Sequence, residues 1–206
     1  MIKKKLKLLK EKFAEFNIDG YVIPKNDDYF GEYAKIDRLK LISEFTGSAG
    51  LAIILKKKNY LFVDGRYTLQ AKKQSGKNFH ILEIPKNFPK NIIKTKLTLG
   101  INPNLFTKKN LNNYFGKNII IKNINNDLIA DNFNQKINKP FFNLRNIVTG
   151  EDHHSKIKKL CKILNSKKSN YLFITAPENV AWILNIRGHD NPNSPIPNCR
   201  MLLTSK

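Results

Sequence analysis

The segment Asp64-Gly65-Arg66-Tyr67 combines residue types that can recognise a polar ligand. It follows the apolar run Tyr60–Val63 and precedes a stretch with helical spacing, which predicts a turn between a strand and a helix. An Asp at this place can cap the helix. An Arg can extend from the turn into a groove and hold a carboxylate or a peptide carbonyl. A structural ion pair between Asp64 and Arg66 is the alternative interpretation.

A second unusual segment is the run of small residues from Phe45 to Gly50, which reads Phe-Thr-Gly-Ser-Ala-Gly. Small residues in series allow the backbone to turn tightly and allow another segment to approach closely. A phosphate-binding nest of backbone amides is an alternative interpretation of this loop. The segment does not contain the Gly-x-Gly-x-x-Gly pattern of dinucleotide-binding proteins.

The pair His153-His154 is the one histidine pair in the sequence, and it follows Glu151 and Asp152. Adjacent residues on a helix point about 100° apart, so the two rings converge poorly on one ion. We therefore interpret this segment as the acidic N-terminus of a helix. The sequence also has no His-Glu-x-x-His, Cys-x-x-Cys, Walker loop or nucleophile elbow. It predicts no metal site and no catalytic residue in this chain.

Hydrophobic periodicity predicts strands that alternate with helices. Ile2 to Phe16 has helical spacing, with an apolar face that we assign to the core rather than to a membrane surface. Further predicted elements are a hairpin of Leu51–Leu55 with Tyr60–Val63, helices at 67–74, 102–115, 153–164 and 177–184, and strands at 21–23, 79–84, 97–101, 119–121, 171–175 and 201–204. Trp182 is predicted to lie in the core. This alternation predicts an α/β fold with mixed sheets flanked by helices.

The aperiodic stretch around Pro140 suggests a boundary between two units. We predict a first domain at 1–134, a linker at 135–150 and a second, similar domain at 151–206. Because the last predicted strand has nothing after it to cover it, we expect the second domain to be incomplete.

The chain has 206 residues with 37 Lys and Arg against 16 Asp and Glu, a net charge of +21. Such a charge suggests a nucleic-acid-binding module as an alternative function. Arg, however, occurs at five positions, and the lysines are scattered along the chain, which favours a compositional bias with non-specific anion binding. No apolar run approaches the roughly 18–20 residues of a membrane span. With no signal peptide, we expect a cytoplasmic protein whose Cys161 and Cys199 are free thiols.

Several motifs occur together in a fixed order. Tyr21-Val22-Ile23-Pro24-Lys25-Asn26-Asp27 comes first, followed by Glu32-Tyr33, Asp37-Arg38-Leu39 and Phe45 to Gly50. Asp64 to Ala71 reads Asp-Gly-Arg-Tyr-Thr-Leu-Gln-Ala, and Ala176 to Asp190 contains Ala-Trp-Ile-Leu-Asn-Ile-Arg-Gly-His-Asp. This series resembles the N-terminal domain and part of the second domain of the Xaa-Pro aminopeptidases (aminopeptidase P), in the creatinase/prolidase superfamily.

The resemblance implies creatinase-type, ribonuclease H-like domains, without implying nuclease activity. It also implies a third, catalytic domain that removes an N-terminal residue that precedes proline. We expect that domain to bind two divalent metal ions, which we expect to be manganese. We expect that domain to lie outside this chain, which would be inactive alone. The expected role of the chain is substrate-size selection and subunit assembly in a homodimer. The expected partners are peptides with proline at the second position and the catalytic domain, with no specific nucleic acid and no membrane.

Five residues in the matched motifs are candidates for substrate binding: Arg66, with Tyr67 and Asp64 in support, and Arg187 and Asp190. The sequence departs from the family pattern in two places. Glu44 stands where the family usually has Gly, and the loop after Asp190 is only loosely similar.

Overall fold

The computed structural model describes residues 2–31, 36–130, 140–191 and 193–205. The chain divides into two compact units, Met1–Asn134 (unit 1) and Gln135–Lys206 (unit 2). The motif residues Glu32 and Tyr33 and part of the predicted linker, 135–139, lie outside the described residues.

Unit 1 is built on a six-stranded mixed sheet. Its elements are α1 (Ile2–Glu15), β1 (Gly20–Pro24), α2 (Arg38–Ser43), β2 (Gly50–Leu55), β3 (Asn59–Asp64), α3 (Thr68–Ser75), β4 (His80–Ile84), α4 (Pro89–Ile92), β5 (Leu97–Ile101), α5 (Lys108–Tyr114) and β6 (Ile119–Asn123). Short 3₁₀ helices at Gly65–Tyr67 and Pro103–Leu105 precede α3 and α5. The strand order is β4-β3-β2-β1-β5-β6.

Strand β2 is antiparallel to both β1 and β3, whereas β3–β4, β1–β5 and β5–β6 are parallel pairs. Strands β1, β3, β4, β5 and β6 therefore all run in one direction and end at the same edge of the sheet. This edge, which we call the carboxyl edge, is where open α/β sheets commonly bind ligands.

The sheet buries both faces. Alternate residues of one strand enter two different cores, as Leu61 and Val63 do on one face and Phe62 on the other. The first core includes the apolar face of α1, with Leu6, Leu9 and Phe13. The second includes Leu105, Phe106 and Phe115, which belong to or flank the segment containing α5. The predicted hairpin and the core role of α1 are thus confirmed.

Unit 2 contains β7 (Phe142–Asn143), α6 (Asn146–Thr149), α7 (His153–Ser166), β8 (Tyr171–Ile174), α8 (Pro177–Leu184), β9 (Ile186–Arg187) and β10 (Met201–Thr204). Strand β10 pairs antiparallel with β8, and β7 pairs antiparallel with β9. Part of the segment predicted as a linker therefore forms β7 and α6. These elements have two and four residues, too few to show a hydrophobic period.

Two other predictions need correction. The single helix predicted from Asn102 to Phe115 is divided, because Phe106 is extended and buried in the core and Thr107 then caps α5 by accepting a 3.1 Å hydrogen bond from the Asn110 N–H. Trp182, predicted to be in the core, is 59% exposed. In the described part of the chain, no helix is long and apolar enough to cross a membrane.

Candidate functional site

Asp64 and Arg66 form the ion pair that the sequence suggested at the end of β3. The Asp64 carboxylate accepts hydrogen bonds from the Arg66 N–H at 3.0 Å and from Arg66 Nε at 2.9 Å. The guanidinium carbon lies 5.4 Å from the ring centre of Tyr67, a cation–π arrangement. The Arg66 side chain is nevertheless 72% exposed. The structural and ligand-binding interpretations are thus compatible, since Asp64 orients a guanidinium that solvent can reach.

The two unusual segments of the sequence meet in the structure. Tyr67 Oη and Ser48 Oγ lie 2.9 Å apart, and the ring of Tyr67 packs edge-on against that of Phe45 at a centroid distance of 5.9 Å. Gln70 and Gln74 of α3 donate to Thr46 Oγ1 at 2.8 and 2.9 Å. These contacts fix the turn that carries Arg66 against the loop before β2.

The small-residue loop has a steric reason for its composition. The backbone at Gly47 passes so close to the ring of Phe45 that a Cβ there would overlap the ring. The Thr46 N–H donates to Gln74 Oε1 at 3.0 Å, so this amide is engaged by α3. The observed contacts explain the loop through packing, and the nest of backbone amides stays a hypothesis.

A cavity of about 400 Å³ opens at the carboxyl edge of the sheet, and we call it the carboxyl-edge cavity. It is bounded by residues after β1, before β2, after β3 and around α5. Its polar and aromatic lining includes Lys25, Asn26, Ser48, Arg66, Phe106 and Tyr114. The structure therefore places the predicted residue Arg66 at a concave site within unit 1.

Lys25 is a lining residue that sequence reasoning missed. It follows Pro24 at the end of β1, and its ammonium group forms an ion pair with Asp37, which also caps α2 by accepting from the Lys40 N–H at 2.9 Å. The position of Lys25 in the sequence could have indicated this role, because a polar residue directly after a buried strand lies at the edge of the sheet where ligands bind. Tyr114 was also missed, and burial raises the pKa of its hydroxyl.

Arg187 and Asp190, the remaining predicted site residues, belong to unit 2. Arg187 ends β9 and donates through Nη1 to the carbonyl of Ile186 at 2.8 Å. Asp190 accepts from the Asn198 N–H at 2.8 Å. Arg187 is also paired with Phe142 in the β7–β9 ladder, and no observed contact joins Arg187 to Asp190.

The histidine pair lies at the N-terminus of α7, as the sequence predicted, but its two rings lie closer together than the predicted divergence of about 100° suggests. Asp152 caps α7 by accepting from the Ser155 N–H at 3.0 Å, and the rings of His153 and His154 lie 4.1 Å apart. Within the residues that the structure describes, no three His, Cys, Asp or Glu side chains are grouped so that they could hold a metal ion.

We expect the substitution Arg66→Gln to raise the pKa of Asp64. Hydrogen bonds from the Arg66 side chain and then from its backbone N–H lower this pKa from 3.8. A carboxyl whose pKa is lower in the folded state than in the unfolded state stabilises the fold at pH values above the unfolded-state pKa. This stabilisation is lost below about pH 4, as the pH falls through the folded-state pKa. NMR titration of the carboxyl carbon measures the change. Asp152, whose pKa Ser155 lowers, is the control and should not move; an unchanged Asp64 pKa would contradict the prediction.

We expect Glu44→Gly to stabilise the protein by about 0.5–1 kcal/mol. Glu44 ends α2 with φ +63°, in the left-handed region, and its side chain is exposed. Glycine adopts this conformation without strain, which gives a physical meaning to the departure from the family pattern noted above. Urea denaturation measures the effect, with Glu44→Ala as the matched control that should not stabilise. A loss of stability in Glu44→Gly would show that the glutamate side chain contributes there.

Comparison with known proteins supports the motif series. Two family models, both described as the Creatinase/Prolidase N-terminal domain, match residues 5–121 and 133–206. A probable Xaa-Pro aminopeptidase P from Coprinopsis cinerea is 30% identical over 94% of this chain and 34% of that protein. One from Laccaria bicolor is 31% identical over 93% of this chain and 33% of that protein. The chain thus spans about a third of the length of these curated relatives.

A solved structure shares the fold. The X-prolyl aminopeptidase from Caenorhabditis elegans, described as a cytosolic enzyme with a di-nuclear active site, matches 100% of this chain and 38% of that chain with a TM-score of 0.85 at 23% identity. This match confirms the predicted fold class of mixed sheets flanked by helices. Since one family model alone covers more than half of the sequence, the chain belongs to the creatinase/prolidase N-terminal domain family.

Proposed function

We propose that this chain is the N-terminal, non-catalytic portion of a metal-dependent Xaa-Pro aminopeptidase. The observation that carries the proposal is the match of both units, in order, to creatinase/prolidase N-terminal domain models, together with relatives named Xaa-Pro aminopeptidase P. In this proposal residues 1–134 form the first domain, and the second begins after it. The protein acts in the cytoplasm as a homodimer, in which this chain contributes to subunit assembly.

The chemistry of the substrate explains why a separate recognition unit is useful. A peptide bond to proline has no N–H, so that hydrogen bond is not available to hold the substrate. Recognition must then depend on the free amine, the proline ring and the flanking carbonyl and carboxylate groups. Two divalent metal ions, manganese in our proposal, would supply a hydroxide and polarise the carbonyl when bound. In this proposal the metal site belongs to a catalytic domain outside this chain, which spans about a third of the length of its curated relatives.

Arg66 is the residue to which we assign substrate contact in unit 1. Its guanidinium is exposed, oriented by Asp64 and stacked near Tyr67, so it can bind a peptide carbonyl or carboxylate with little loss of side-chain entropy. Arg187 and Asp190 are assigned a weaker, supporting role in unit 2. In this arrangement the N-terminal domain limits the size of peptides that reach the catalytic centre.

The experiment is a steady-state assay of the complete gene product with manganese. We expect hydrolysis of an Xaa-Pro-Xaa peptide and none of the matched Xaa-Ala-Xaa peptide. In Arg66→Gln, KM should rise about tenfold while kcat changes little, because the lost interaction contributes to binding in the ground state and the transition state alike. Lys57→Gln, in the exposed turn between β2 and β3, is the control and should behave as the wild type. Turnover without dependence on proline would overturn the proposal.

The net charge of +21 favours a second candidate, a nucleic-acid-binding module. That function requires binding that persists at moderate salt and discriminates between sequences, whereas a compositional excess of lysine gives affinity that collapses with salt. We expect the affinity for DNA and RNA oligonucleotides to collapse as the ionic strength is raised from low to physiological values. Sequence-specific binding at physiological salt would favour the module instead.

A further inference from the structure

We propose that the carboxyl-edge cavity binds the terminal carboxylate of a short peptide whose last side chain is apolar. The inference rests on the proposed function, because it names the part of the peptide substrate that unit 1 would recognise. It is carried by the charge and shape of the cavity lining.

In the described lining of the cavity, the charged residues are cations. Lys25 and Arg66 both face it, and the described lining contains no Asp or Glu. Their partner carboxylates, Asp37 and Asp64, are not among the lining residues. The charged groups of the described cavity wall are therefore two cations, a composition that favours an anion.

The hydrogen-bonding capacity of these groups suits a carboxylate. An ammonium group has three donors, and the contact with Asp37 Oδ2 uses one of those on Lys25. The Lys25 side chain is largely buried, so its position is fixed and its charge is poorly screened. Asn26 is held by donating to the Leu105 carbonyl at 3.0 Å, which fixes the wall between Lys25 and α5.

Another part of the wall is aromatic and limits the size of the ligand. Phe30, Phe106 and Tyr114 supply aromatic surface, and the volume of about 400 Å³ lies in the range of small-molecule sites. The hydroxyl of Tyr114, like that of an ordinary tyrosine, is protonated at neutral pH and can donate. A peptide terminus with a carboxylate and an apolar side chain can contact both the cations and the aromatic wall of the cavity. Inorganic phosphate would contact the cations and leave the aromatic wall uncovered.

The test is calorimetric titration of the 206-residue chain with N-acetyl-glycyl-phenylalanine and with its C-terminal amide. We expect the acid to bind about tenfold more tightly than the amide, the ratio expected for one lost charge-assisted contact. Arg66→Gln should weaken binding of the acid about tenfold and leave the amide unchanged, while the control Lys57→Gln should change neither. Equal affinities for acid and amide, or an unaffected Arg66→Gln, would overturn the proposal.

A second variant tests Lys25. Because Lys25→Gln alone would leave the partly buried Asp37 unpaired, we combine it with Asp37→Asn, and circular dichroism confirms the fold. This double variant should also lose the preference for the acid. Binding of inorganic phosphate as tightly as the peptide acid would contradict the inference.

The titration involves no catalysis, so its failure would overturn the cavity assignment alone, whereas loss of proline-dependent hydrolysis would overturn the proposed function.

Discussion

Asp127→Asn is expected to lower the free energy of unfolding by about 2–3 kcal/mol, because it removes the shorter of the two ion pairs of a buried arginine. Arg38, at the start of α2, is 8% exposed, and its Nε lies 2.5 Å from Asp127 Oδ2. Asp127 Oδ1 also accepts from the N–H groups of Ile129 and Ala130, so the pair ties α2 to the segment after β6. The asparagine can keep the backbone contacts but cannot neutralise the guanidinium.

Urea denaturation followed by circular dichroism measures this loss. The control is Glu11→Gln, which removes the exposed pair with Lys7 at 3.9 Å and should cost less than about 0.5 kcal/mol. The double variant Arg38→Met with Asp127→Asn removes the charge together with its partner and should recover at least half of the stability. In the single variant, Asp28 Oδ1, which lies 3.8 Å from Arg38 Nη2, still neutralises part of the Arg38 charge. A single variant as stable as the wild type would show that Asp28 alone satisfies Arg38.

Lys156→Met is expected to destabilise unit 2 by about 2–4 kcal/mol, because it leaves one buried and one partly buried acceptor without their charged donor. Lys156 is 3% exposed, and its ammonium group donates to the Trp182 carbonyl at 2.7 Å and to Asn185 Oδ1 at 2.6 Å. It also lies 4.1 Å from the ring centre of Trp182. The positive charge is therefore held by the C-terminal end of α8 and by an aromatic face rather than by a described carboxylate.

The single tryptophan of the sequence gives this prediction its own readout. Trp182 fluorescence should change in native Lys156→Met and should follow the earlier unfolding of unit 2 in urea. Lys159→Met on the same helix is the matched control, since it removes only the exposed contact with Glu151 at 2.7 Å and should cost less than about 1 kcal/mol. If Lys156→Met and Lys159→Met were equally stable, the buried ammonium would contribute nothing to unit 2.

The elements predicted well are those with long or repeated apolar patterns. The runs that form β2 and β3 predicted a hairpin, and α7 followed from the helical spacing of its apolar residues. Helix α2 was not predicted because its six residues are too few to show a period, and its start depends on the Asp37 cap. The order of strands was also beyond prediction, because β1 pairs with β5 across almost eighty residues.

The residues of the candidate site likewise differ in how far the sequence alone could predict them. Asp64 and Arg66 are neighbours in sequence, so their pairing could be predicted from the turn. Lys25, Ser48 and Tyr114 reach the cavity from three separate segments, and only the tertiary fold brings them together. Trp182 was assigned wrongly because helical spacing places it beside apolar residues; the ring instead covers the Lys156 ammonium and keeps more than half of its surface in solvent.

The proposed function is that this chain recognises the substrate while catalysis requires other polypeptide. Its most direct test is to incubate the purified 206-residue chain with manganese and an Xaa-Pro-Xaa peptide and to measure released amino acid, with a complete Xaa-Pro aminopeptidase as the positive control. We predict no turnover above the metal-only blank. Sustained, proline-dependent turnover that a chelator abolishes would contradict the claim, because it would place a working metal centre within this chain.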